Sequence, residues 1–278
     1  MKFQAPENFS DSGDGPVENV ADSDWEKAIQ YHEKKKRNLD PKQKEKIRAA
    51  AIKAIVKKAL ATMGAVSRPY KLVTTPWSEN MGADLDLESS IEEDPFLESL
   101  QVEKKEDRRA EVIVCLDTSL SMTGKKLAIN AVSLAVLALQ LEPEDLCIIA
   151  FESEANLVKA LLEKKNVYEI LEKFLEVPAR GLTNIESALK MAVAQSKNGK
   201  LAKKAVILMT DGRFTAGKNP EYLVPQLPNL HVIQTGNAWS SPRFCRGLAK
   251  AGGGKYLRVS QVEQLPKALY SLVHEIIR

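Results

Sequence analysis

From Arg109 to Arg278, short apolar runs alternate with stretches of helical length, and that rhythm constrains the fold more than any other feature. Strand-like runs fall at 111–116, 146–151, 155–161, 204–209, 230–235 and 255–259. Helix-like stretches fall at 124–140, 166–175, 185–197, 220–226, 242–250 and 261–277. Such alternation signals a parallel sheet with helices on both faces. A strand buried on both faces should be apolar almost throughout, and Val112-Ile113-Val114-Cys115-Leu116 is. The run at 155–161 follows 146–151 too closely for a crossover helix, so it is expected to form an antiparallel edge hairpin. The predicted class is α/β: a doubly wound, mostly parallel six-stranded sheet with one antiparallel edge strand.

The residues before Arg109 have a different character. Residues 1–24 are polar, acidic and rich in glycine and proline, as in a flexible lead-in. Residues 25–108 are expected to form a helical, charge-segregated region, and 109–278 the α/β domain. Ser23 can cap a short helix whose Trp25 and Ile29, four apart, share a face. Asp40-Pro41 reads as a helix start. Beyond it Ile47, Ala51, Ile52, Ile55, Val56, Ala59 and Leu60 make one apolar stripe with lysines opposite. Residues 64–108 mix prolines with acids and read as an extended segment with a short helix or two, laid along another surface. Residues 33–58 carry eleven basic and three acidic side chains; residues 79–107 carry eleven acidic and two basic. Such blocks either pair within the chain or present two charged faces.

Bulk composition excludes little else. A net charge of +3 over 278 residues gives no push toward nucleic acid or membrane. Three cysteines without metal-ligand spacing argue against a disulfide framework; Cys115 and Cys147 sit in apolar runs and read as core residues. No signal-like apolar run occurs near Met1, and no stretch approaches the roughly 18 apolar residues of a membrane span. A reduced, cytoplasmic setting is expected.

The candidate site is a set of oxygen donors from three separate places. Asp117-Thr118-Ser119-Leu120-Ser121 follows the first domain strand, Thr183 sits in the turn Gly181-Leu182-Thr183-Asn184, and Asp211 follows the strand ending at Thr210. In an open parallel sheet ligands bind beyond the carboxyl ends of the strands, which would bring Asp117 and Asp211 to one edge. Positions 117, 119 and 121 alternate by two, so an extended loop can aim all three at one centre. Two carboxylates and three hydroxyls without a nearby His or Cys suit Mg²⁺ or Mn²⁺. With water filling the remaining positions, an outside carboxylate can complete the octahedron.

Together, Asp117-Thr118-Ser119-Leu120-Ser121, Thr183 and Thr210-Asp211-Gly212 resemble the metal-ion-dependent adhesion site of von Willebrand factor A domains, whose fold is Rossmann-like. The resemblance implies metal-binding roles for Asp117, Ser119, Ser121, Thr183 and Asp211, the last often through water. Leu120 stands where the family commonly has glycine. The segment from Trp77 through Asp84-Leu85-Asp86-Leu87-Glu88, leading to Arg108-Arg109, resembles the lead-in of A-domain proteins related to the magnesium-chelatase D subunit and CoxE. That likeness implies a MoxR-type or chelatase-type AAA+ ATPase as partner, in cofactor insertion or complex assembly.

Other chemistries find little support. The P-loop pattern and G-x-S-x-G are absent, and Thr123-Gly124-Lys125-Lys126 reads as a helix start. His32, His231 and His274 read as packed or surface residues, and Gly252-Gly253-Gly254 as a tight helix-to-strand turn. Metal ligands without an identifiable base do not define a reaction, so the chain is expected not to be an enzyme. The leading expectation is a Mg²⁺-dependent interaction module that receives an acidic residue from a protein partner. The alternative is a nucleic-acid-associated module using the basic helix, disfavoured by its lack of stacking aromatics. A third is an assembly subunit whose metal site plays no part.

Overall fold

An amphipathic helix buries its apolar stripe against whatever apolar surface it can reach, and helix α1 (Pro41–Met63) does so against the α/β domain itself. The computed structural model describes residues 41–63, 69–78, 84–96, 98–119, 124–177, 181–235 and 241–278. Residues 1–40, including the expected lead-in and the Trp25–Ile29 helix, lie outside these, as do Leu120 and Ser121. Next come β1 (Tyr70–Pro76), β2 (Asp84–Leu85), α2 (Leu87–Glu93) and β3 (Gln101–Asp107). The three strands form an antiparallel sheet in the order β1-β3-β2. Thus the stretch read as merely extended pairs with itself. The pairing is long-range and leaves no local periodicity to read.

The α/β unit follows: β4 (Glu111–Asp117), α3 (Lys125–Gln140), β5 (Leu146–Phe151), β6 (Ala155–Lys159), α4 (Val167–Glu176), α5 (Ile185–Asn198), β7 (Lys204–Thr210), β8 (Leu230–Thr235), α6 (Pro242–Ala251), β9 (Gly253–Val259) and α7 (Leu265–Ile277). The six-stranded sheet has the order β6-β5-β4-β7-β8-β9, parallel except for the edge hairpin of β5 with β6. All six strand positions and the antiparallel edge match the sequence expectation. One helix differs: residues 220–226 wind as a 3₁₀ helix containing Pro225. Proline lacks the N–H that an α-helical turn would need there.

Alternation along β4 divides the core. Val112, Val114 and Leu116 face α1, α3, α4 and α7, while Ile113 and Cys115 face α5, α6 and the 3₁₀ turn. On α1, Ile47, Ala51, Ile52, Ile55, Val56 and Ala59 are buried as expected, with Met63, but Leu60 is exposed. Leu60 lies past the edge of the buried stripe, beside Ala59, which is within it. At the polar side of α1, Arg48 pairs with Glu172 and Glu176 of α4 rather than with the acidic block at 79–107.

Burying a charged group costs free energy unless it is paired or hydrogen-bonded, and two such groups inside this core find partners. Lys159, fully buried, donates to the carbonyls of Leu146 and Ala160. Glu111, also buried, accepts from the backbone N–H groups of Lys200 and Leu201 and lies 3.6 Å from Lys204 Nζ. His231 packs as expected, its Nδ1 accepting from Lys255 N. No described helix is long and apolar enough to cross a membrane.

Candidate metal centre at the carboxyl edge of the sheet

Strand order reverses direction between β4 and β7, because β5 and β6 continue to one side of β4 while β8 and β9 continue beyond β7. A crevice opens beyond the carboxyl ends of strands at such a switch point. Asp117 ends β4 and Asp211 follows β7, so the fold brings both to that crevice.

Asp117 is only 1% exposed. Its Oδ1 accepts from Ser119 N at 3.0 Å and its Oδ2 from Thr210 Oγ1 at 3.0 Å. Burial pushes its pKa up and the negative charge of Asp211 adds to the rise, against the hydrogen bonds from Ser119 and Thr210. Asp211 is half-buried, and its Oδ1 accepts from Arg213 N at 2.9 Å. Among the described residues, no lysine or arginine forms an ion pair with either carboxylate.

The backbone beneath Asp211 is tightly built. Gly212 has φ +81°, and a β-carbon there would collide with Cys245 Sγ. Burial, aided by the charge of Asp211, pushes the Cys245 thiol up to about 12. It is therefore a neutral thiol at neutral pH, no competitor for a metal. This accounts for the one cysteine that its sequence context left unassigned.

Thr183 is 7% exposed and is held from two sides. From the β7 side, Thr215 Oγ1 accepts from Thr183 N at 2.9 Å, and the N–H groups of Thr215 and Ala216 donate to Thr183 O. From the β5 side, Asn184 N donates to Glu152 O, and Leu182 N donates to Ser153 Oγ. Gly181, with φ +93°, lets the turn pass close to Glu152 and Ser153. Asn184 then caps α5 through Ser187 N.

In the first turn of α5, Glu186 fastens the same two loops again. It accepts from Lys218 N at 2.7 Å and from the Tyr222 hydroxyl, and pairs with Lys190 at 2.8 Å. Lys190 first, then Lys218 N and Tyr222, hold its pKa down at about 2. Through these bonds the Thr183 turn and the Asp211 loop are braced as a unit.

Of the sequence-designated residues, the structure places Asp117, Ser119, Thr183 and Asp211 on adjoining loops of one edge; Ser121 lies outside the described residues. Thr210, Thr215 and Glu186 were not singled out as site residues. Thr210 was visible only as part of Thr210-Asp211-Gly212. Thr215 bonds Thr183 and Glu186 bonds Lys218 across about thirty residues of sequence, where no spacing rule reaches.

The donor set fits a hard divalent cation. The charge of Asp211 raises the cost of ionising Asp117, and the neutral hydroxyl of Thr210, not a cation, bonds the Asp117 carboxylate. Among the described residues no three His, Cys, Asp or Glu side chains gather as a metal site, so the hydroxyls are indispensable to such a centre.

Residues 112–213 match the von Willebrand factor type A domain model. The fold is of the von Willebrand factor A type. Among solved structures, a von Willebrand factor type A protein from Catenulispora acidiphila aligns with a TM-score of 0.53 at 14% identity, over 77% of this chain and 51% of that one. Proximal thread matrix protein 1 from the mussel byssus, in a structure with a zinc-occupied MIDAS motif, aligns with a TM-score of 0.51 at 19% identity, over 61% of this chain and 48% of that one. In sequence the chain is similar to inter-alpha-trypsin inhibitor heavy chain 4 of Mus musculus, 31% identical over 205 residues, which is 67% of this chain and 22% of that protein. The chain spans less than half the length of the curated relatives it matches, 41% and 22%. The A-type domain is typically a protein-interaction module.

Proposed function

We propose that this chain is a metal-dependent protein-interaction module, binding rather than catalytic, that takes Mg²⁺ or Mn²⁺ at Asp117, Ser119, Ser121, Thr183 and Asp211. The observation that carries the reading is that Asp117 and Asp211 stand at the carboxyl ends of neighbouring strands, with no described lysine or arginine paired to either. A divalent ion would supply the positive charge that offsets their repulsion and would accept one more oxygen. Asp117 and Asp211 would hold it by charge, and the hydroxyls of Ser119, Ser121 and Thr183 would complete the protein's share. An acidic side chain from a partner would enter the remaining position. Thr215 and Glu186 keep the Thr183 turn in register with Asp211, so little ordering cost falls on binding.

The partner we propose is an AAA+ ATPase of the MoxR or chelatase type, with the chain acting as adaptor in cofactor insertion or complex assembly. Its support is the resemblance of the segment from Trp77 to Glu88 to the lead-in of that group. The test is affinity capture in Mg²⁺ and in EDTA, with Asp117→Ala in parallel, after calorimetric titration with Mg²⁺, Mn²⁺ and Zn²⁺. An AAA+ ATPase retained by the wild type in Mg²⁺ alone is the expected result. Equal capture by wild type and Asp117→Ala would overturn the metal-dependent reading.

A second reading rests on α1, where Lys42, Lys46 and Lys53 are exposed on one side and enter no ion pair among the described residues. It assigns nucleic-acid phosphates to that stripe. Binding would then fall steeply with salt and ignore chelation.

A further inference from the structure

Helix α2 is folded inside out. Its one buried residue is Ser90, 0% exposed, whose Oγ accepts from Gln101 N at 2.7 Å and donates to Asp86 O at 2.5 Å. Gln101 Nε2 reaches back to Glu93 Oε2 at 2.7 Å. These polar ties fix the helix on β3, while Leu87 and Ile91, four residues apart, stand 55% and 52% exposed on its outer side. A helix of seven residues is far shorter than the roughly 12–15 that are even marginal in water. Short helices depend on burying an apolar face, and this one turns its apolar side chains outward.

Just beyond α2, Phe96 is 87% exposed. The turn that carries it is built: Asp94 accepts from Phe96 N at 3.0 Å and from Ser99 N at 2.9 Å. An aromatic ring held out on a hydrogen-bonded turn has lost backbone freedom already, as interface anchors do. The segment itself carries one sign of charge, while the lysines of the sheet, Lys71, Lys104 and Lys105, lie on β1 and β3. From Asp84 to Ser99 there are seven carboxylates and no lysine or arginine. Glu88, Glu92 and Glu98 are exposed and form no ion pair among the described residues.

We propose that α2 and Phe96 form a docking surface for a basic amphipathic helix of a partner protein. The partner's apolar stripe would cover Leu87 and Ile91, with Phe96 as anchor, and its lysines or arginines would meet Glu88, Glu92 and Glu98. Charge selects this occupant, because seven unrelieved carboxylates repel acidic peptides and nucleic acid alike. The surface is separate from the metal centre: β3 leads into the amino end of β4, whereas Asp117 stands at its carboxyl end. It therefore does not depend on the metal reading.

The test uses the full chain and a synthetic lysine–leucine peptide patterned at helical spacing, with fluorescence anisotropy as readout. Leu87→Ser/Ile91→Ser and Phe96→Ala should each weaken binding by about tenfold or more, as for buried interface anchors. Glu88→Lys/Glu92→Lys, which leaves the apolar groups intact, should weaken it comparably. A scrambled peptide of the same composition should bind at least about tenfold worse, and EDTA should change nothing. Equal affinity of the wild type and Leu87→Ser/Ile91→Ser, or of the patterned and scrambled peptides, would overturn the proposal. Sedimentation offers a further way to overturn it. If the wild type self-associates and Leu87→Ser/Ile91→Ser does not, the occupant is a second copy of this chain.

Discussion

At the carboxyl edge of the six-stranded sheet, an acidic side chain is buried: Asp117 is 1% exposed and sits over an apolar core that includes α1. In the three-stranded sheet, apolar side chains are exposed: Leu87, Ile91 and Phe96 face outward from a scaffold held by serine, glutamine and aspartate. The first arrangement costs desolvation and is sustained by the large core beneath it. The second forgoes apolar burial and is sustained by local hydrogen bonds. Both depart from the usual inside–outside rule where an outside group would complete the arrangement, a cation at one edge and an apolar helix at the other.

The largest effect that would sharpen this contrast separates two isoleucines on two helices. Ile55→Ala on α1 should destabilise the protein by about 2–5 kcal/mol, since Ile55 is fully buried in the common core. Ile91→Ala on α2 should change stability by less than about 0.5 kcal/mol. Urea denaturation measures both; similar costs would break the distinction between an integrated α1 and an outward-facing α2.

A second comparison concerns the metal edge alone. Asp117→Asn keeps an acceptor for Ser119 N and removes the charge. At a Mg²⁺ concentration a hundredfold above its Kd, the wild type should gain about 2.7 kcal/mol in unfolding free energy. The Asn variant should gain none. An equal gain in both would remove Asp117 from the site.

The smallest effect tests the brace. Glu186 has a folded-state pKa of about 2, below the 4.5 of an ordinary glutamate. A carboxylate depressed on folding contributes stability above its unfolded value, and that contribution is lost as pH falls from about 4.5 toward 2. Glu186→Gln should therefore be less stable than the wild type at neutral pH, with the gap closing over that acid window. A gap that stays constant with pH would show that the ionised carboxylate is not what braces the two loops.

Much of this was readable from local pattern. The β4 run and the length of each helix reveal themselves within a few residues, because burial on both sheet faces demands uninterrupted apolar sequence. Asp117 and Asp211 were identifiable because each directly follows such a run. Thr215 and Glu186 were not, since nothing near them in sequence indicates that they grip Lys218 and the Thr183 turn. Leu60 looked apolar enough for the stripe, yet it is exposed.

By itself, then, the sequence determined the order of strands and helices, the antiparallel edge and the oxygen donors at the strand ends. These follow from periodicity and from the short range of backbone hydrogen bonding. Only the tertiary structure decided that α1 joins the domain core, that two distant loops are braced around Thr183, and that α2 presents its apolar side outward. Those outcomes depend on which surfaces meet across long stretches of chain, and a surface has no partner until the chain has folded.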